Sequence, residues 1–96
     1  MSFKTIAEVR AANKAAGHHF FDRGTIRFFD STVKTALYGN RFFVTSERVP
    51  AANTRRYTVR EACPDGRVIT RGEFQAYRTI EDARDFARML AREARP

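Results

Sequence analysis

RYTVREACPDGRVITRGEFQAY, residues 56–77, alternates in character on both sides of Asp65-Gly66. An Asp-Gly pair satisfies the positive φ angles of a two-residue turn, so the segment predicts a β-hairpin with arms Arg56–Pro64 and Arg67 to about Tyr77. Pairing across that turn sets Tyr57 opposite Phe74, Val59 opposite Gly72 and Cys63 opposite Val68, on an apolar face interrupted by Glu61 and Thr70. The other face carries Thr58, Arg60, Ala62, Ile69, Arg71 and Glu73, with Gln75 and Tyr77 following if the strand continues.

Upstream, Gly39-Asn40 is a second two-residue turn signal and predicts a hairpin over residues 32–47. With Tyr38 paired to Arg41, Val33, Leu37, Phe42 and Val44 share one face, and Lys34, Ala36, Phe43, Thr45 and Glu47 share the other. A short helix over 31–38 is the alternative. Arg48 to Arg56 has neither periodicity nor a large apolar anchor and is expected to be a flexible connection. Residues 18–29, with His18-His19-Phe20-Phe21 before Asp22-Arg23-Gly24 and Thr25-Ile26-Arg27-Phe28-Phe29 after it, read as two short extended pieces about a glycine turn. Their four phenylalanines are expected in the core.

Helices are expected at both ends. Thr5-Ile6-Ala7-Glu8 is a capping box that opens a helix over about 6–16, which Gly17 stops. Ile6, Val9, Ala12 and Ala16 form its packing stripe, while Arg10, Asn13 and Lys14 face water. Thr79 caps a second helix from about Ile80 to Ala94, with Ile80, Ala83, Phe86, Ala87, Leu90 and Ala94 on its buried side. The order predicts an α+β fold: an antiparallel sheet of four to five strands built from hairpins, with an N-terminal and a C-terminal helix packed on one face.

At 96 residues the chain has room for one core, so residues 1–96 are expected to be a single domain. Nine Phe and three Tyr, in a chain that is 43% hydrophobic, supply the apolar surface. One cysteine, Cys63, excludes an intrachain disulfide and suits a reducing cytoplasm. No apolar run approaches the ~18 residues of a membrane span, and Lys4, Glu8 and Arg10 interrupt any signal peptide. A cytoplasmic monomer or homodimer is expected, with no membrane partner.

A net charge of +7 makes a polyanion an attractive partner, although 15 Arg against 3 Lys also fits the codon bias of a GC-rich genome. In the register above Arg60 opposes Arg71, and an anion could offset the repulsion, with Gln75 and Tyr77 at hand to hydrogen-bond or stack. Glu73, Glu61 or solvent could equally absorb it. Arg84, Arg88, Arg92 and Arg95 lie along one side of the last helix and could track a nucleic-acid backbone. The competing reading is a solvated face in which Asp85 pairs with Arg88 and the helix dipole accounts for the charge order. His18, His19 and Asp22 fall within five residues, but neighbouring side chains on a strand diverge, so no metal is expected. Cys63 with a histidine could imitate a nucleophile and base; its apolar position points to packing instead. No phosphate-binding glycine loop, nucleophile elbow or zinc motif occurs, so neither an enzyme nor a cofactor is expected.

The strings TIAEVR (5–10), HHFFDRG (18–24), RFFVTSE (41–47) and GEFQAY (72–77) together resemble a family of small uncharacterised proteins from phages, plasmids and genomic islands of proteobacteria. The similarity spans nearly the whole chain and implies no catalytic residue. It implies a setting: an accessory gene of a mobile element, where small non-enzymatic binders that interfere with host machinery, anti-CRISPR proteins among them, are common. Many such inhibitors are acidic mimics of nucleic acid, a mechanism that +7 argues against. The leading expectation is a non-catalytic module that binds nucleic acid or a nucleoprotein complex through Arg60, Arg71, Gln75, Tyr77, Arg84, Arg88 and Arg92. The alternative is a protein-protein inhibitor of host defence anchored by an exposed aromatic such as Phe43 or Tyr77.

Overall fold

The computed structural model describes residues 3–49 and 54–94. The element order is α1 (Ile6–Ala15), α2 (Arg23–Phe28), β1 (Thr32–Val33), β2 (Phe42–Val49), β3 (Thr54–Ala62), β4 (Val68–Arg71) and α3 (Ile80–Glu93). The strands form one antiparallel sheet in the order β1-β2-β3-β4, and the fold is α+β. The flexible connection expected over Arg48–Arg56 is strand at both ends, where Arg48 and Val49 of β2 pair with Arg55 and Thr54 of β3; its residues 50–53, and the end of the cationic row at Arg95, lie outside the described residues. Among the described residues no helix is long and apolar enough to cross a membrane.

Both terminal helices begin as their sequences dictate. Thr5 Oγ1 accepts from the Glu8 amide at 3.2 Å, and Thr79 Oγ1 accepts from the Asp82 amide at 3.2 Å. The Glu8 carboxylate reaches back one residue beyond the cap, accepting from the Lys4 amide. At the other end of α1, Gly17 has φ +83°, and the amides of Gly17 and His18 donate to Lys14 and Asn13, a Schellman closure.

The two helices do not share a face, which corrects the expected one-sided packing. Phe42, Val44 and Val59 pack with Ala83, Ala87 and Leu90 of α3. Phe43 and Ala62 pack with Phe3 and with Ile6 and Val9 of α1. Neighbours on a strand point oppositely, so α3 covers one side of the sheet and α1 the other. The cause is local: Phe42-Phe43-Val44 is apolar on both sides, and every residue from Phe42 to Glu47 is buried.

Both hairpins close one residue differently from the sequence expectation. Cys63, not Pro64, pairs with Arg67: its amide donates to the Arg67 carbonyl at 2.8 Å, and the loop is Pro64-Asp65-Gly66 with Gly66 at φ +91°. This three-residue loop sets Val59 against Arg71, Arg60 against Thr70 and Ala62 against Val68. Arg60 and Arg71 therefore point to opposite faces. In the first hairpin Tyr38 pairs with Phe42, not Arg41, and Val33 and Leu37 pack with Phe43 rather than with Phe42 and Val44. The chain over 31–38 is neither a full strand nor the alternative helix: only Thr32 and Val33 are strand.

Two further expectations change. Residues 23–28 are a helix, α2, with Gly24 inside it, and not an extended pair about a turn. Asn13 is buried, and its side-chain amide donates to the Gly66 carbonyl at 2.8 Å. That bond ties α1 to the β3-β4 loop, where a Cβ on Gly66 would sit 2.5 Å from the Ala12 carbonyl oxygen.

Candidate functional site

Beyond β4 the edge of the sheet is interrupted. Arg71 pairs with Val59 and Tyr77 with Tyr57, so β3 advances from 59 to 57 while its partner runs from 71 to 77, and residues 72–75 loop out. Gly72 at φ +74° and Gln75 at φ +57° make the two bends. Such edge insertions re-aim a side chain, and here the side chain is Phe74, which comes back over Arg60 on the α1 face.

On the same face α2 ends at Phe28. Asp30, at φ +47°, closes it: the Asp30 amide donates to Arg27 and the Ser31 amide to Ile26. Arg55 fastens this end to the sheet, with Nη2 donating to the Asp30 and Ser46 carbonyls at 2.7 and 2.8 Å. Gln75 and Asp30 are non-glycine residues in the left-handed region, and each immediately follows a phenylalanine of the site. Backbone strain of this kind concentrates at binding sites.

Between α2 and the 72–75 insertion lies a recess of about 300 Å³. Phe20, Ile26, Phe29 and Phe74 form its apolar walls; Arg60, Thr25, Ser31 and Thr70 supply its polar lining. Phe28, Phe29 and Phe74 are 81%, 44% and 46% exposed. They are in edge contact, Phe28 to Phe29 at 4.9 Å and Phe29 to Phe74 at 5.9 Å between ring centroids.

Arg60 sits at the base between two rings, its guanidinium carbon 5.2 Å from the Phe20 centroid and 5.5 Å from that of Phe74. Its Nε donates to Thr45 Oγ1 at 3.1 Å, Nη1 to Thr70 Oγ1 at 2.7 Å and Nη2 to Glu47 Oε2 at 3.2 Å. The Glu47 side chain is 1% exposed and accepts from the Thr58 hydroxyl at 2.7 Å, while Thr58 Oγ1 accepts from the Gln75 amide at 2.9 Å. This chain of bonds couples the buried ion pair to the loop that carries Phe74. Burial pushes the Arg60 guanidinium below its ordinary value, against the opposing pull of Glu47.

Of the seven residues expected to form a binding surface, only Arg60 lines this recess. Arg71 is on the other face, and with Arg41 it flanks Glu61. Gln75 contributes its backbone amide to Thr58. Tyr77 is half-buried with its ring 5.6 Å from that of Phe86, and burial followed by the charge of Asp82 raises its phenol above the usual value. Arg84 pairs with Glu81 at 3.1 Å and Arg88 with Asp85 at 3.0 Å. Arg92 lies against a separate recess beside Leu37 and Tyr38. Phe43, considered as an exposed anchor, is fully buried. The four phenylalanines of residues 20–29 divide: Phe20 and Phe21 pack on Phe43, whereas Phe28 and Phe29 face outward.

His19 Nδ1 contacts Asp22 Oδ2 at 2.7 Å, and among the described residues no three of His, Cys, Asp or Glu gather as a metal site. Cys63 is buried, which raises its thiol above the ordinary value, with Glu61 adding to the shift. The aromatic rim was invisible to the sequence reading because its members come from α2 and the 72–75 insertion, both read as strand. The signal that could have found α2 is the spacing of Ile26 and Phe29, one helical turn apart.

No curated protein and no solved structure matches this chain. The model of a family of unknown function, DUF7447, matches residues 5–88, a span that includes every residue of the recess and its rim, and the chain belongs to that family.

Proposed function

We propose that the chain is a non-catalytic binding module that docks a partner protein through the Phe28-Phe29-Phe74 rim. The observation that carries this reading is a row of three exposed phenylalanines, Phe28 against Phe29 and Phe29 against Phe74, of which the last two wall a recess. Contiguous apolar surface of this kind, anchored by aromatics and arginine, is the usual core of a protein interface. Local charge favours protein over nucleic acid at this spot. Residues 22–30 and 72–75 carry Arg23 and Arg27 against Asp22, Asp30 and Glu73, so no cationic track accompanies the rings despite the chain's +7. The setting implied by the sequence resemblance, an accessory protein of a phage or plasmid that obstructs a host complex, suits such a surface.

The test is a pull-down from nuclease-treated host lysate with wild type and the Phe28→Ser/Phe74→Ser variant, both verified as folded. A defined protein retained by wild type and lost from the variant is expected. Loss of every partner on nuclease treatment, or equal capture by both proteins, refutes the reading.

Nucleic acid is the second reading, favoured by the +7 charge and by cations such as Arg10, Lys14, Arg78 and Arg92 that have no ion pair among the described residues. Binding to random DNA or RNA that weakens steeply with salt supports it, and absence of binding at low salt ends it.

A further inference from the structure

The recess has one-sided hydrogen-bonding chemistry. Its polar lining is one guanidinium and three hydroxyls, and no carboxylate belongs to the lining. Glu47 lies beneath, its oxygens within reach of Thr58, Arg60 and Ser31. Thr70 accepts from Arg60 at Oγ1, which leaves the Thr70 hydrogen to donate. Arg60 has five N–H groups, of which three are engaged by Thr45, Thr70 and Glu47. Burial lowers its basicity, with Glu47 pulling the other way. The floor is therefore donor-rich and presents the cationic member of the Arg60–Glu47 pair, with the carboxylate outside the lining, inside walls that are aromatic and aliphatic.

We propose, resting on the docking reading above, that this recess seats a carboxylate carried on a compact apolar group of the partner's docking segment. Arg60 and Thr70 donate to the anion, and Phe20, Phe29 and Phe74 hold the apolar body. Charge complementarity selects this occupant. A cationic head would meet Arg60, and a purely apolar one would bury the remaining guanidinium N–H groups without acceptors.

The experiment titrates the whole protein with 3-phenylpropionate and, separately, with 3-phenylpropionamide, which keeps the shape and removes the charge. Amide-resolved NMR reads where and how tightly each binds. The expected result is saturable binding of the acid with shifts at Ser31, Thr70 and Phe74, at least about five-fold tighter than the amide. Arg60→Gln is expected to bring the ratio of the two affinities to about one. Phe29→Ala is expected to weaken both probes and leave their ratio intact. Equal affinities in wild type overturn the carboxylate assignment while the docking reading, tested by its own rim variant, stands. Absence of saturation by the acid up to about 20 mM, or shifts centred elsewhere, also overturns the assignment. Should Arg60→Gln not fold, the wild-type ratio and the shift map decide alone.

Discussion

Removing Glu47 is the sharpest test of how this fold is held together. The Arg60 and Glu47 side chains are 12% and 1% exposed, so Glu47→Ala strips a buried cation of its counter-charge and the Thr58 hydroxyl of its acceptor. Breaking a buried pair by deleting one partner costs about 3–5 kcal/mol, most of it the penalty of the charge left behind. A small domain has only about 5–10 kcal/mol in total, so the variant is expected to lose a large share of its stability. Urea unfolding followed by circular dichroism reads the loss as a midpoint lowered by about 2–4 M, given a slope of about 1.3 kcal/mol/M for a chain this short. The double change Glu47→Leu/Arg60→Met should lie closer to wild type than either single change, because it removes both desolvated charges together. A Glu47→Ala loss below about 1 kcal/mol, the usual worth of an exposed pair, would refute the claim that Arg60 is bound into the interior.

Phe43→Ala should cost about 3–5 kcal/mol by cavity formation, whereas Phe28→Ala, at 81% exposure, should change stability by less than about 0.5 kcal/mol; a comparable loss from both would contradict the division of the phenylalanines. Gly66→Ala, which combines φ +91° with a 2.5 Å approach to the Ala12 carbonyl oxygen, should lower stability by more than about 1 kcal/mol in the same urea assay. Cys63 has a thiol raised by burial, so the folded state holds its proton more tightly than the unfolded one. Its contribution is complete below the unfolded thiol value of about 8.5 and is lost as pH rises through the higher folded value, a decline that Cys63→Ala should flatten. Native protein should also resist iodoacetamide near neutral pH and react promptly in urea, as mass spectrometry can follow.

What could be read in the chain followed from local chemistry. Thr5 and Thr79 cap because a hydroxyl three residues before an amide has one good partner, and α3 follows its stripe because Ala83, Ala87 and Leu90 repeat at helical spacing. Register was not local. Asp65-Gly66 signals a turn but does not choose between a two-residue loop and a three-residue loop that includes Pro64, and that single residue turned Thr70 rather than Arg71 toward Arg60. Which side each helix covers was equally hidden. It depends on Phe42 and Phe43 both demanding cover, a requirement visible only once β2 is seen between two neighbours. The recess joins residues from α2, the segment before it, β3, β4 and the 72–75 insertion, so no window of sequence contained it.

The arginine surplus illustrates why net charge alone does not locate a binding surface. A guanidinium offers five donors in a rigid fork, so it can tie several backbone and side-chain acceptors at once. Arg55 does this at the Asp30 and Ser46 carbonyls, Arg60 does it at Thr45, Thr70 and Glu47, and Arg41 and Arg71 converge on Glu61. These arginines act inside the scaffold, bracing a sheet whose edge is cut short by Gly72–Gln75 and whose β1 is two residues long. Their charge still counts toward +7, but most of these donors are engaged within the fold, and at Arg60 three of five are taken by Thr45, Thr70 and Glu47. Arg55 fixes the end of α2 that carries Phe29, and Arg60 lies between Phe20 and Phe74. The cations thus set the shape of the aromatic rim, which is why the proposed docking surface is sought at the rings rather than at the charges.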